Sequence, residues 1–146
     1  MREVKRAAAA DVHAIAEMAM KMWEGHTREE LTEEFLALIE SEDAAVFLGA
    51  EAGKYTGFAQ CQLRHDYVEG TDTSPVGYLE GIFVEAEYRR QGWAKRLLEA
   101  CEAWSREKGC VEFASDCEID NADSLAFHMK MGFIEAGRII CFQKTL

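Results

Sequence analysis

The chain has 146 residues, enough for one domain with a real core, and its 49% hydrophobic content with a single Pro excludes a disordered or collagen-like polymer. No apolar run approaches the roughly 20 residues that cross a bilayer, so an integral membrane protein is excluded. The net charge of −11 disfavours nucleic acid and anionic lipid as partners, although residues 85–109 carry a local sum of +1 against −12 for the rest. This neutral-to-basic island suggests an anionic ligand there and a cationic one elsewhere; the plainer reading is that the acidic balance serves only solubility.

Val4 to Ala7 reads as a short first strand, and Asp11 as the cap of a helix with Val12, Ile15, Met18 and Met22 at helical spacing. Thr27-Arg28-Glu29-Glu30 has the form of a capping box, and Leu31, Phe35, Leu38 and Ile39 make the apolar stripe of a second helix. Ala44 to Ala50 and Tyr55 to Arg64 read as a hairpin around Ala52-Gly53-Lys54. A polar loop covers 67–77. Tyr78 to Val84 is a nearly continuous apolar strand interrupted by Glu80 and Gly81. Ala94 to Lys108 is an amphipathic helix ended by Gly109, Val111 to Ser115 is a strand, and Asn121 or Asp123 caps a last helix that Gly132 closes. Phe133 to Glu135 and Ile139 to Phe142 are expected to be the last two strands. The whole predicts a single α/β domain over 1–146, with a mixed sheet flanked by helices.

Five cysteines occur without a CxxC pair, and no signal peptide is legible at the N-terminus. Reduced thiols in a cytoplasmic protein are therefore expected. The four His are scattered without zinc-ligand spacing, so no metal site is expected.

The sharpest local signal is Glu87-Tyr88-Arg89-Arg90-Gln91-Gly92-Trp93-Ala94, between a buried strand and an amphipathic helix. Arg89-x-x-Gly92-x-Ala94 offers a turn of inward amides, a helix N-terminus and small residues, which together suit a pyrophosphate. An ordinary Gly turn is the plainer alternative. A second signal is Glu80, a charge within an apolar strand. It reads either as a solvated or salt-bridged carboxylate or as a functional one.

Glu85 through Leu98 resembles the acetyl-CoA loop of the GCN5-related N-acetyltransferases, and Asn121-x-x-Ser124-x-x-Phe127-His128-x-x-x-Gly132-Phe133 is similar to that superfamily's second CoA segment. The segments Tyr67 to Val76, Tyr78 to Val84, Glu112 to Asn121 and Cys141 to Lys144 resemble the aminoglycoside 6′-N-acetyltransferases more narrowly. The resemblance implies a mostly antiparallel central sheet of about 6–7 strands with four helices, splayed at the acetyl-CoA strand. It implies acetyl-CoA as cosubstrate, bound by Ile82, Phe83 and Val84 through strand amides, by Arg89, Arg90, Gln91, Gly92, Trp93, Ala94 and Lys95 in the loop, and by Asn121, Ser124 and Phe127. It places Glu80 beside the acceptor amine. His128 stands where many members have the Tyr assigned to protonate the departing thiol, so its role as an acid is a departure from the pattern.

A polycationic acceptor requires carboxylates and aromatic faces. Trp23, His26, Tyr67, Glu69, Asp72, Glu80, Asp116 and Glu135 are the candidates. Each also has an ordinary reading as a surface charge or core aromatic. The long loop from Tyr67 implies a homodimer in which it approaches the partner's cleft. The expected reaction is direct attack of a neutral amine on the thioester; a covalent route through Cys117 lacks a neighbouring base. Acetylation of another amine (polyamine, peptide or lysine) and a non-catalytic CoA-binding module are the alternatives.

Overall fold

A computed structural model describes all residues, 1–146. Five strands form one sheet in the order β1 (Arg2–Arg6), β2 (Ala44–Glu51), β3 (Lys54–Arg64), β4 (Val76–Val84) and β5 (Phe113–Ser115). The first four pair antiparallel, and β5 joins β4 in parallel. The helices are α1 (Val12–Met22), α2 (Arg28–Glu40), α3 (Trp93–Glu107) and α4 (Ala122–Lys130).

Helices α1 and α2 cover one face. Their stripe residues Ile15, Ala19, Leu31 and Phe35 pack on Val46, Leu48 and Phe58 of the sheet. The other face carries α3, where Leu97, Leu98, Cys101 and Trp104 meet Ala45, Ala59, Cys61 and Leu79. Strand alternation sends neighbouring residues to opposite layers, so each central strand feeds both cores.

Two local expectations change in detail. Asp11 does not cap α1; its carboxylate accepts from the Ala8 amide (2.8 Å), Lys5 Nζ (3.2 Å) and the Tyr55 hydroxyl (2.5 Å). Burial pushes the Asp11 carboxyl up, but these hydrogen bonds outweigh it and hold it below the ordinary range. Thr27 does cap α2, accepting from the Glu30 amide at 3.1 Å, while the Glu30 carboxylate lies 3.6 Å from His26 Nδ1.

The end of the chain departs further. Phe133 to Glu135 and Ile139 to Phe142 form no strands, so the sheet has five strands rather than six or seven. Phe133 packs against the α3 side of the sheet, but Ile134, Ile139, Ile140 and Phe142 are exposed, the last at 90%. Residues of strand-like composition stay unpaired here because no strand lies alongside them within the chain.

Candidate active site

Two features of β4 build the site. The first is a bulge. Cys61 pairs with Leu79 and Gln60 with Gly81, which leaves Glu80 as an extra residue without a partner. A bulge breaks the alternation, so residues on either side of the insertion can face the same way. Tyr78 and Glu80 share the face covered by α1 and α2, and Gly81 faces it too: a Cβ there would lie 2.7 Å from Trp23 Cζ2. The carboxylate of Glu80 thus enters a cavity of about 270 Å³ lined by Trp23, His26, Leu31, Glu34, Phe35, Leu38, Gln60 and Glu80. Trp23 forms its wall, stacked on Phe35 at 6.2 Å.

The second feature is a fork. β4 pairs with β5 only from Gly77 to Leu79, so from Glu80 onward it keeps β3 on one side and no strand on the other. Ile82, Phe83 and Val84 line this open stretch, although Phe83 also belongs to the buried core. The fork leads to the turn before α3. There Arg90 (φ 61°) and Gly92 (φ 83°) adopt left-handed backbone, and no side chain caps the first-turn amides of α3. Free amides at the positive end of a 15-residue helix suit an anion.

The individual loop residues divide. Arg90, Lys95 and Gly92 are exposed, and neither cation forms an ion pair. Arg89 turns back, with Nε donating to the Val84 carbonyl at 2.9 Å. Gln91 Nε2 donates to the Glu87 carbonyl at 3.2 Å, and the Gln91 carbonyl accepts from Arg2. Trp93 departs from expectation: its side chain is 1% exposed, in the core, so it can offer a ligand only its backbone. An aromatic at the first position of a helix packed on a sheet is drawn inward by its area.

Four charged or hydroxyl groups line up beside the fork. Arg64 donates to both oxygens of Glu80, Nε to Oε2 at 3.0 Å and Nη2 to Oε1 at 2.8 Å. The guanidinium carbon lies 3.5 Å from the Tyr78 ring centroid, and the Tyr78 hydroxyl donates to Asp116. The hydrogen bond to Glu80 is the main reason the Arg64 pKa is raised. Burial, then the bond to Asp116, pushes the Tyr78 phenol strongly up.

At the last rung of β5 stands Ser115. His128 Nε2 lies 2.8 Å from Ser115 Oγ, and His128 Nδ1 lies 2.7 Å from the Ser124 carbonyl, which can only accept. Nδ1 therefore carries a proton. Ser115 Oγ is also 3.2 Å from the Leu79 carbonyl, so its single hydrogen serves either that oxygen or His128. Asn121 caps α4 by accepting from the Ser124 amide (3.1 Å), and Phe127 packs on the α3-side core.

Several expected acceptor residues lie elsewhere. Tyr67 (78% exposed) donates to Glu69 at 3.1 Å, and Tyr67 and Asp72 line a separate cavity of about 400 Å³ in the loop. The amides of Asp72 and Thr73 donate to Glu112, which fixes that loop away from Glu80. Glu135 is exposed and paired with Arg138 at 2.9 Å. Within one chain, the cleft brings together Trp23, His26 and Glu80, with Asp116 alongside; Tyr67, Glu69, Asp72 and Glu135 are not among its lining residues.

Sequence reasoning missed Glu34, Arg64 and Ser115. Glu34 was findable, because it interrupts the stripe of Leu31, Phe35 and Leu38 on the buried side of α2. Arg64 gave no signal beyond ending a strand.

Comparison with known proteins agrees with this geometry. The family model for the acetyltransferase (GNAT) family matches residues 12–133. An aminoglycoside N(6′)-acetyltransferase type 1 of Stenotrophomonas maltophilia is 38% identical over 144 residues, covering 98% of this chain and 93% of its own. One of Salmonella typhimurium is 39% identical, covering 85% and 86%. The structure of AAC(6′)-Iy in complex with a bisubstrate analogue, CoA-S-monomethyl-acetylneamine, superposes with a TM-score of 0.95 at 33% identity, over 100% and 99% of the two chains. That of AAC(6′)-Ih from Acinetobacter baumannii gives 0.93 at 33% identity, over 100% and 99%. With the fork, the open helix terminus and the bulged carboxylate in the places such an enzyme requires, the chain belongs to the acetyltransferase (GNAT) family, among the aminoglycoside N(6′)-acetyltransferases of type 1.

Proposed function

We propose that this protein transfers acetyl from acetyl-CoA to the 6′-amine of aminoglycosides, which removes a positive charge and inactivates the drug. The observation that carries the reading is the Glu80 bulge: it aims a carboxylate into a Trp-walled, acid-lined cavity at the point where β4 leaves β5. A non-catalytic CoA-binding module has no need of that cavity.

Acetyl-CoA supplies the activated acyl carbon. Its pyrophosphate fits the first-turn amides of α3, at Gly92 to Lys95, with Arg90 and Lys95 as the free cations. Arg89 and Gln91 shape the turn through their bonds to Val84 and Glu87. The unpaired edge of Ile82 to Val84 suits the pantetheine, and a strand amide there would stabilise charge developing on the acyl oxygen. Asn121, Ser124 and Phe127 are read as further CoA contacts; Asn121 also caps α4 and Phe127 packs on the α3-side core.

The acceptor enters as a polycation. Glu80 and Asp116, with Glu34 at the rim, favour its ammonium groups, and Trp23 presents an aromatic face. His26 lies at the mouth. An amine attacks only when neutral, so Glu80 takes its proton directly or through water. In its doubly protonated form His128 gives its Nε2 proton to Ser115 Oγ while Ser115 passes its own hydrogen to the leaving thiolate, which makes His128 the acid through Ser115.

A homodimer completes the reading. The arm beyond Phe133 exposes Ile134, Ile139, Ile140, Phe142 and Leu146, and β5 has a free edge. Covering each large apolar side chain is worth about 1.5–3 kcal/mol. The loop of Tyr67, Glu69 and Asp72 touches the arm's root, since a Cβ on Gly70 would lie 2.5 Å from Ala136 Cβ and one on Gly137 3.5 Å from Glu69 Oε1. A second copy that covers the arm would therefore meet this loop and Glu135. Light scattering of the chain and of Ile139→Asp/Phe142→Asp tests this: dimer and monomer, respectively, are expected, and a wild-type monomer refutes it. Five free thiols, two of them exposed, suit the reducing cytoplasm.

The test of function is CoA-thiol release with kanamycin and tobramycin against a 6′-hydroxyl drug, for wild type and Glu80→Gln. Release confined to 6′-amino drugs and reduced by the substitution is expected. Release with spermine alone would replace the acceptor class.

A further inference from the structure

We propose that Arg64 is a positioning residue for Glu80, one that weakens acceptor binding and supports turnover. The inference rests on the cleft being the acceptor site.

The geometry has two parts. The fork of Arg64 engages both Glu80 oxygens, at 3.0 and 2.8 Å, and this fixes the plane of the carboxylate. Each oxygen retains lone-pair capacity for a further donor, so the pair leaves room for an ammonium in a defined direction. The fork is itself held from behind. Its flat face lies 3.5 Å from the Tyr78 ring, Tyr78 is buried, and its hydroxyl is anchored on Asp116. Because Glu80 is the unpaired residue of a bulge, the ladder gives its side chain no cross-strand neighbour. Arg64 supplies the missing constraint from the end of β3, on the face it shares with Gln60 and Gln62.

The second part is charge. Glu80 and Asp116 would present two negative charges to a polycation, and Arg64 cancels one of them. The pair is part-buried, and its cation stands 2.8 Å from a carboxylate that lines the cavity, where it repels the very substrate the carboxylates attract. The cost falls on binding and the gain on orientation, and orientation matters most at the reacting atoms.

Opposite signs for binding and turnover make the test, because damage to the fold would worsen both. Kanamycin is titrated calorimetrically onto CoA-saturated wild type, Arg64→Met, Arg64→Lys and Arg64→Met/Glu80→Gln, and kcat is measured by thiol release. Arg64→Met is expected to bind kanamycin roughly 3-fold tighter at low ionic strength, the difference fading near ~0.5 M salt. Its kcat should fall about 10-fold or more. Arg64→Lys keeps the charge without the fork, so it should restore wild-type binding but no more than about a third of kcat. In the Glu80→Gln background, Arg64→Met should change kcat less than about 2-fold. Weaker binding together with lower kcat, an unchanged kcat, or an equal loss without Glu80 would overturn the proposal. If wild type acetylates spermine and not kanamycin, the aminoglycoside reading alone fails, and the same criteria apply with spermine. If it binds and acetylates neither, both fail.

Discussion

The tightest contact in the cleft gives the clearest prediction. A Cβ added at Gly81 would meet Trp23 Cζ2 at 2.7 Å, Trp23 Cη2 at 2.9 Å and Met22 Cε at 3.0 Å. Real Cβ atoms do not approach that closely, so Gly81→Ala must push either the Trp23 ring or the β4 bulge. Trp23 has little room to move, being stacked on Phe35 and edge-on to Phe58 at 6.3 Å. Overpacking of this kind costs about 1–3 kcal/mol. For a domain of this size that is roughly 2–12 °C in Tm. The displaced wall should also raise KM for the acceptor. The two closest of these atoms belong to the six-membered part of the indole. Trp23→Phe removes that bulk and should therefore recover stability in the Gly81→Ala background, whatever it costs alone. Calorimetric unfolding of the four proteins in this cycle is the assay. A Gly81→Ala protein as stable as wild type, or a double variant no better than Gly81→Ala, would refute the packing argument.

Three further outcomes are expected. Hydrogen bonds hold the buried Asp11 carboxyl below its ordinary pKa, so its contribution is complete above the unfolded value near ~4 and is lost as pH falls through the lower folded value. Urea unfolding should show Asp11→Asn weaker than wild type by about 1–3 kcal/mol at pH 7, with the gap closing toward pH ~3; a gap constant with pH would contradict this. In the native protein a thiol reagent such as DTNB should label exposed Cys117 quickly and leave buried Cys61, Cys101 and Cys110 until denaturation, with Cys141 in the arm becoming fast in Ile139→Asp/Phe142→Asp; rapid labelling of all five in wild type would contradict the packing. If His128 acts through Ser115, then Ser115→Ala and His128→Phe should each lower kcat, by about 10-fold, and the double variant should lose little more; independent, multiplicative losses would mean that the two residues act separately.

What the sequence made legible follows from how local each signal is. The helices were readable because Leu97, Leu98, Cys101 and Trp104, or Leu31 and Phe35, repeat at a spacing that only a helix turns to one side. The anion turn was readable because Gly92 and the cations flanking it are contiguous, and an uncapped helix end follows directly. That the Trp93 side chain enters the core within that same motif was not readable, since adjacency to a ligand loop says nothing about which layer a side chain enters. Glu80 stood out as a charge in an apolar strand, but its direction came from the register, which shifts at Gln60 and Cys61 on another strand. Arg64, Tyr78 and Asp116 could not be grouped from sequence because β3, β4 and β5 must pair before Arg64 can lie on Tyr78 and the Tyr78 hydroxyl can reach Asp116. The C-terminal strands show the converse limit. Ile139 to Phe142 has the composition of a strand, yet composition specifies only an apolar face that wants cover. Pairing is a property of two strands, and the pattern of one segment does not record whether a partner strand lies beside it. Tyr67 and Glu69 carry the family's sequence resemblance yet lie apart from Glu80, because their loop is fixed to Glu112 and to the root of the exposed arm, contacts that join segments far apart in the chain.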